Sequence, residues 1–397
     1  MEEWLHMLRE ATMHPNYKRL AAVFILLSLA TTIHAQTSPA KLEQVRAYYE
    51  RANSFEKQGR WSEAEQAWRA ALNLANDDAR AWTNLGVTLS RQDKTSEAIE
   101  VWRKAISLDP KLPGPYFNLG LALVRKTDYV NAITPLRQAL AIEPANDGAR
   151  RALAIALIGT ERFPEASREI AQLLARSPQD APLLELAAQS FLRQRRYAEA
   201  ATVLERRLRL PDPKSVLWSQ YGDALDGSGR TPEAAEAYRK AVELDPESTL
   251  TRYGLGYLYW KLYRYDDAER ELLEVLRRDA KDPRASFTLG DLYLTRGDAP
   301  RALRLLEIAA DAYPNEFDTR FALGRALVLM GKLERGIPEL RAAVKLDDTI
   351  ADGHFQLGRA LMKAGQTLEG KTELQKAQEL HDKQRKNESE RFRKKLP

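Results

Sequence analysis

Residues 82–110, WTNLGVTLSRQDKTSEAIEVWRKAISLDP, contain the pattern that decides the fold of this chain. Its marked positions are Trp82, Leu85, Gly86, Leu89, Ala98, Trp102 and Pro110. The same pattern returns 136 residues later, which is four times 34, in residues 218–246, WSQYGDALDGSGRTPEAAEAYRKAVELDP. A pattern that returns at a multiple of 34 residues indicates tandem copies of one supersecondary unit.

Two columns of small residues extend this repeat along most of the chain. The first column consists of Ala52, Gly86, Gly120, Ala154, Ala188, Gly222, Gly256, Gly290, Gly324 and Gly358. The second column follows twelve residues later and consists of Ala64, Ala98, Ala132, Ala166, Ala200, Ala234, Ala268, Ala302, Gly336 and Gly370. Because a small side chain lets two helix backbones approach closely, these columns predict ten helix pairs with one crossing point in each pair.

The 34-residue pattern resembles that of the tetratricopeptide repeat (TPR) family, and the resemblance covers residues 45–384 in ten units. The resemblance implies an all-α fold, namely a right-handed superhelical solenoid of antiparallel helix pairs. It also implies that the first helices line a concave groove in which an extended peptide or a partner helix binds. We expect local irregularity at Arg207, at Pro211 and Pro213, and at Pro135 and Pro338, where the sequence departs from the family pattern.

Residues 1–35 are typical of an export signal. Leu20 to Ile33 reads LAAVFILLSLATTI and carries no charge, and it is shorter than the roughly 20 apolar residues that span a membrane. We predict a signal peptide over 1–35 that is cleaved after Ala35, with an uncleaved signal anchor as the alternative. Translation starts at Met1 or at Met13. Residues 36–44 are expected to be a linker, and 385–397 a basic C-terminal cap or tail.

Composition argues against catalysis. The chain has no cysteine and five histidines, three of them before residue 36, so neither a thiolate site nor a cluster of histidines is available. We therefore expect no enzyme activity, no catalytic residues, no metal and no cofactor. Residues 383–397 carry seven basic and two acidic side chains, which equals the net charge of +5. The rest of the chain is neutral overall, so we expect no nucleic-acid partner and at most weak contact of the tail with an anionic envelope surface.

The candidate binding site is an aromatic patch in repeats seven to ten. Tyr253, Tyr257 and Trp260 are spaced by four and three residues, so they share one helical stripe on the inner side. Steps of 34 residues from Tyr253 extend the row, and charged residues flank it on both sides. These further candidates are Phe287, Phe321 and Phe355, the acidic Asp223 and Asp291, and the basic Arg325 and Arg359. The alternative is that the rings are core, in which case the site lies along Leu121, Ile155 and Ile158.

These observations favour an exported, non-catalytic scaffold that binds a partner protein or peptide in its concave groove and takes part in the assembly of bacterial envelope complexes. We expect the protein to be periplasmic or secreted. If the leader instead anchors the chain to the inner membrane, we expect the repeats to lie outside the cytoplasm. A second hypothesis is an accessory subunit of a cell-wall or polysaccharide machine that contacts glycan or anionic lipid.

Overall fold

The computed structural model describes residues 39–393, which form twenty α-helices joined by short turns. The predicted signal peptide over 1–35 and its cleavage site lie outside these residues, as do the first residues of the predicted linker and the last four of the tail. The fold is all-α within the described range, as the repeat pattern predicted.

The helices follow one another as ten pairs, one pair for each sequence repeat. Repeats one to five contain α1 (Pro39–Lys57), α2 (Trp61–Leu74), α3 (Ala79–Arg91), α4 (Thr95–Leu108), α5 (Pro113–Arg125), α6 (Tyr129–Ile142), α7 (Asp147–Gly159), α8 (Phe163–Arg176), α9 (Ala181–Arg193) and α10 (Tyr197–Leu208). Repeats six to ten contain α11 (Ser215–Gly227), α12 (Thr231–Leu244), α13 (Thr249–Lys261), α14 (Tyr265–Arg278), α15 (Pro283–Thr295), α16 (Ala299–Ala312), α17 (Phe317–Leu329), α18 (Leu333–Leu346), α19 (Ala351–Lys363) and α20 (Thr367–Arg393).

The chain divides into two compact units that meet in sequence at Pro178 and Gln179. The first unit contains α1–α8 and the second contains α9–α20. In both units each helix packs against its partner in the repeat and against the next helix of the unit. Several first helices of successive repeats also contact one another, namely α3 with α5, α5 with α7, α13 with α15, α15 with α17 and α17 with α19. Second helices of successive repeats contact each other less than first helices do. This closer spacing places the first helices on the inner, concave side of each unit.

The two small-residue columns lie where the helices of a repeat cross. A Cβ atom added to Gly86 would lie 2.3 Å from Trp102 Nε1, and one added to Gly120 would lie 2.4 Å from Leu136 Cγ. Ala98 and Ala132 of the second column are fully buried. The small residues that recur every 34 positions are therefore required for close packing, since a larger side chain at Gly86 or Gly120 would separate α3 from α4 or α5 from α6.

Some expected irregularities appear and others do not. The helices α6 and α18 continue through Pro135 and Pro338 at the same length as their counterparts. Repeat five is irregular, because α10 ends at Leu208 and Asp212 adopts a φ of 58°. Arg207, which replaces a small residue, is buried and bonded to Glu185 Oε1 at 2.6 Å.

The ends of the described chain are more helical than the sequence predicted. The first helix begins at Pro39, inside the segment 36–44 predicted as a linker, because proline is well suited to the first turn of a helix. The last helix continues to Arg393, so the described part of the basic tail extends the second helix of repeat ten. Among residues 39–393, no helix combines the length and the apolar character that crossing a membrane requires.

Candidate functional site

The stripe predicted on α13 is a stack of three rings. The ring centroids of Tyr253 and Tyr257 are 6.2 Å apart, and those of Tyr257 and Trp260 are 5.7 Å apart, with interplanar angles of 29° and 26°. Ser248 positions the helix that carries them, because its hydroxyl accepts the backbone N–H of Thr251 at the N-terminus of α13. We call Tyr253, Tyr257 and Trp260 the aromatic stack.

Two residues of α15 lie at the ends of the aromatic stack. The Arg284 guanidinium lies 4.9 Å from the centre of the Tyr253 ring, and the Asp291 side chain lies close enough to Trp260 for the indole to lower the pKa of its carboxyl. Asp282 is the N-cap residue of α15. It also orients the guanidinium, because its Oδ2 accepts a hydrogen bond from Arg284 Nη2 at 2.9 Å. The middle ring remains accessible, with Tyr257 37% exposed. The stack is therefore fixed in position while part of it faces solvent.

The phenylalanines of the predicted row lie in different environments. Phe321 stacks on Phe317 with centroids 5.2 Å apart and packs against the core between α18 and α19, and Arg325 lies 5.5 Å from its ring. Phe355 is 39% exposed, with Arg359 5.6 Å from its ring. Phe287 is partly buried and makes no ring–ring contact among the described residues. The structure thus groups three rings closely and leaves the other three separate.

A cavity of about 320 Å³ opens beside the aromatic stack, between α11 and α13. Its floor is the Tyr238 ring, which lies against the backbone of both first helices: a Cβ atom on Gly222 would be 2.4 Å from this ring and one on Gly254 would be 2.3 Å from it. Asp223 lines the cavity together with Tyr253, Tyr257, Leu250, Leu258, Arg284 and others. We call it the acidic cavity.

Sequence reasoning missed Tyr238, Leu250 and Arg284 as parts of this site. The sequence signal that could have indicated the cavity is Gly254, which lies two residues before Gly256 of the first small-residue column. Gly256 packs against Leu272 of its own repeat, whereas Gly254 makes room for Tyr238 of the preceding repeat.

Two carboxyl groups of the inner surface have raised pKa values. The Asp223 carboxyl loses hydration among the surrounding protein atoms, which raises its pKa, and the negative charge of Asp226 raises it further. The Tyr238 hydroxyl donates to Asp223 Oδ1 at 2.6 Å and partly opposes this shift. Burial also raises the pKa of Asp291, against the charge of Arg325 and the bond from Trp260.

A second cavity, of about 530 Å³, lies between α17 and α19. Its polar lining consists of Arg325, Arg359, Lys363 and Gln356, and its apolar lining of Val328, Leu329 and Leu340. The inner surface of the second unit is therefore acidic near α11 and basic near α19. The predicted residue Asp223 lies at the acidic end, Arg325 and Arg359 lie at the basic end, and Asp291 lies on α15 between the two ends.

The alternative site lies in the first unit. Leu121, Ile155 and Ile158 are partly buried, and Leu121 borders a cavity of about 110 Å³ with Asn118 and Arg125. This smaller site stays a prediction. Within residues 39–393, no group of three or more His, Asp or Glu side chains is arranged to hold a metal ion.

Comparison with known proteins identifies the family. Models described as tetratricopeptide repeat or TPR repeat match residues 45–78, 91–127, 123–190, 227–290 and 287–349. The chain belongs to the tetratricopeptide repeat family. Repeats of this family are typical of scaffolds for protein–protein interaction.

Individual relatives match this TPR chain over short segments. Cellulose synthase operon protein C of Salmonella typhimurium is 29% identical over 84 residues, which are 21% of this chain and 7% of that protein. The peroxisomal targeting signal receptor of Candida albicans is 37% identical over 62 residues, 16% of this chain and 10% of the receptor. The chain thus spans a tenth or less of either relative. Among solved structures, MamA 41-end from Desulfovibrio magneticus RS-1 superposes with a TM-score of 0.40 at 23% identity, over 44% of this chain and 99% of that one.

Proposed function

We propose that this protein is a non-catalytic scaffold that binds an extended segment of a partner protein along the first helices of repeats six to ten. The observation that carries the proposal is the aromatic stack, in which Tyr257 packs between Tyr253 and Trp260 and Arg284 covers the Tyr253 ring, while Tyr257 remains 37% exposed. A ring that is already fixed loses little conformational freedom on binding, and such rings are common energetic centres of protein interfaces.

The exposed ring surface is sufficient to contribute to binding. Covering the remaining third of a tyrosine or phenylalanine ring contributes about 1–2 kcal/mol, because each ring buries about 150–250 Å² in full. Tyr257 and Phe355 both offer such a surface. The acidic end near α11 and the basic end near α19 give a bound segment one preferred direction, since the reversed segment would place like charges together.

Partner capture tests the proposal. We expect that Tyr257→Ala together with Trp260→Ala abolishes capture of the partner from native envelope by residues 36–397, with only a modest fall in thermal stability. The matched control is Tyr263→Gly, which removes a ring that is 78% exposed in the turn after α13. Hydrogen exchange of the captured complex should show protection on α11, α13, α15, α17 and α19. Capture that survives in the double variant contradicts the proposal, as does protection confined to α5 and α7.

We further propose that the protein is exported to the bacterial envelope, with residues 1–35 as the leader. The support is the uncharged segment Leu20 to Ile33 and the small Ala35 that follows it. The intact mass of the exported protein tests this step: a mass that begins at Gln36 supports cleavage, and a mass that includes residues 1–35 supports an anchor. Retention of the protein in the cytoplasm contradicts export.

A second candidate function is that of an accessory subunit that contacts glycan or anionic lipid. The observation that favours it is α20, which extends to Arg393 and exposes Lys383, Arg385 and Lys386. Binding to anionic vesicles or to glycan through this helix should be lost above about 0.5 M salt, where charges are screened over a few ångströms, whereas binding at the aromatic stack should persist.

A further inference from the structure

We propose that the acidic cavity is a subsite for a positively charged side chain, lysine or arginine, of the bound segment. Asp223 would receive the charged end, and the wall formed by Tyr257 and Leu250 would receive the aliphatic stem. This inference rests on the proposed function, because the cavity opens directly beside the aromatic stack.

Asp223 differs from its neighbours in having no cationic partner. Asp226 is paired with Lys261 Nζ at 2.6 Å, and Asp282 is paired with Arg284 at 2.9 Å. Asp291 lies close enough to Arg325 for the arginine to lower its pKa. Among residues 39–393, the hydrogen bond recorded for Asp223 is the one from the Tyr238 hydroxyl to Oδ1, and no lysine or arginine forms a salt bridge with it. Its Oδ2 atom is available to a ligand.

The surroundings of Asp223 favour a cation that arrives from outside. Asp223 is exposed in the open cavity, and the surrounding protein atoms and the negative Asp226 raise the pKa of its carboxyl, so its ionised form carries a penalty in the unbound protein. An ammonium or guanidinium group next to Oδ2 removes that penalty. A neutral group leaves the penalty in place, and a carboxylate increases it. The positive charge of Arg284, which also lines the cavity, is already balanced by Asp282.

The remaining wall fits the rest of a basic side chain. Leu250 is 64% exposed and Leu258 is buried, and both line the cavity. Lysine and arginine have long apolar stems below a charged end, so they can cover leucine and tyrosine surface while the charge reaches a carboxylate. The volume of about 320 Å³ is at the small end of the range for ligand sites, which suits one side chain.

A peptide array tests the subsite with the full chain. The probes are peptides of about eight residues, about 26 Å when extended, that are randomised except at one position holding lysine, arginine, norleucine, citrulline or glutamate. We expect the wild-type protein to retain lysine or arginine peptides about tenfold better than their neutral counterparts. Asp223→Asn should lose this preference and still fold, because an asparagine oxygen can accept the Tyr238 hydroxyl.

The controls separate the subsite from the proposed function. Asp311→Asn changes the same charge on α16, a second helix, and should keep the preference. If the protein binds peptides through Tyr257 and Trp260 without preferring basic residues, the subsite is wrong and the scaffold function stands. If no peptide is retained by any variant, both are wrong. Free spermidine could also displace the lysine and arginine peptides at concentrations that do not displace the norleucine peptides. That result would show a site for small cations, and it would overturn the assignment to a partner side chain.

Discussion

Arg252 Nη1 lies 2.7 Å from Oε2 of Glu271, nineteen residues further along the chain, and Arg252 Nη2 lies 3.1 Å from the carbonyl oxygen of Pro246. The same arrangement joins three further pairs: Arg150 with Glu169, Arg320 with Glu339, and His354 with Glu373. In each pair the cationic side chain, or the imidazole of His354, comes from a first helix and the glutamate from the second helix of the same repeat.

These basic residues occupy a position that is aromatic in other repeats. Trp82 is at the equivalent position of repeat two, and its indole N–H donates to the carbonyl oxygen of Asn76, six residues earlier. Arg252 donates to a carbonyl at the same separation, so it replaces the tryptophan as a donor. The position nineteen residues after Trp82 is Val101 rather than glutamate. The glutamate therefore accompanies the basic residue within this chain.

Removing the glutamate should destabilise the second unit. Glu271→Ala leaves Arg252 partly buried and unpaired, with an Nε atom that already has no partner in the described structure. We expect a loss of about 2–3 kcal/mol in the free energy of unfolding by urea denaturation. The double variant Arg252→Trp with Glu271→Val copies the pair Trp82 and Val101 of repeat two, and it should recover most of the lost stability.

The control for this experiment is an exposed ion pair. Glu247→Ala removes one of the two carboxylate partners of Arg278, the other being Glu274, and should cost less than about 1 kcal/mol, because Glu247 is largely in solvent. Equal losses for Glu247→Ala and Glu271→Ala would contradict a special role of the Arg252 pair.

Gly254 keeps the acidic cavity open. A Cβ atom there would lie 2.3 Å from Tyr238 Cε1, so Gly254→Ala must displace the ring that forms the cavity floor. We expect a loss of about 1–3 kcal/mol in stability and weaker selection of basic peptides. Gly114→Ala on α5 is the matched control, because its Cβ would meet Thr83 at 3.6 Å, an ordinary contact. A Gly254→Ala protein as stable as the Gly114→Ala protein would show that Tyr238 can move freely.

The turn residue Tyr263 is in an unfavourable backbone conformation. Its φ is 58°, in the region that favours glycine, and the equivalent turns at Gly229 and Gly297 contain glycine. Because a left-handed conformation costs a non-glycine residue about 1–2 kcal/mol, Tyr263→Gly should raise the free energy of unfolding by about 0.5–1 kcal/mol. Differential scanning calorimetry measures the shift. A lower melting temperature would mean that the edge contact of Tyr263 with Tyr265 outweighs the backbone strain.

The part of the site that could be predicted from sequence is the part that one helix determines. Tyr253, Tyr257 and Trp260 share a stripe on any α-helix, so their stack follows from spacing alone. Arg284, which covers Tyr253, and Asp291, which lies near Trp260, come from the next first helix. Their contacts depend on how closely α13 and α15 approach, and a 34-residue repeat does not encode that distance for each pair of helices.

The fold was more predictable than the site for the same reason. The contact between Gly86 and Trp102 lies within one repeat and recurs, with different side chains, in the others. The acidic cavity has no such recurrence. It requires Gly222 and Gly254 together on either side of Tyr238, and it occurs between α11 and α13, where first helices approach each other less closely than α13 and α15 do. Only the combination of three repeats creates it.

The stability of the protein should depend on Asp223 and pH in a defined direction. The protein atoms around the cavity and the charge of Asp226 raise the pKa of Asp223 above its ordinary value of 3.8 in the folded protein. Between 3.8 and the raised pKa the folded state binds more protons than the unfolded state, so this residue's contribution to stability falls as pH rises through that window. The other groups facing the carboxyl from α11, α12, α13 and α15 are Asp226 with its partner Lys261, Tyr238, Tyr253, Tyr257 and Arg284.

Asp223→Asn removes this one titration and leaves those neighbouring groups in place. We would measure the free energy of unfolding by urea denaturation at several pH values between about 3 and 7. The stability of the variant relative to the wild-type protein should increase as pH rises through the raised pKa and stay constant at higher pH. If the difference between Asp223→Asn and the wild-type protein instead falls as pH rises, Asp223 is stabilised in its ionised form without a ligand, and the acidic cavity has no unsatisfied charge to offer a partner.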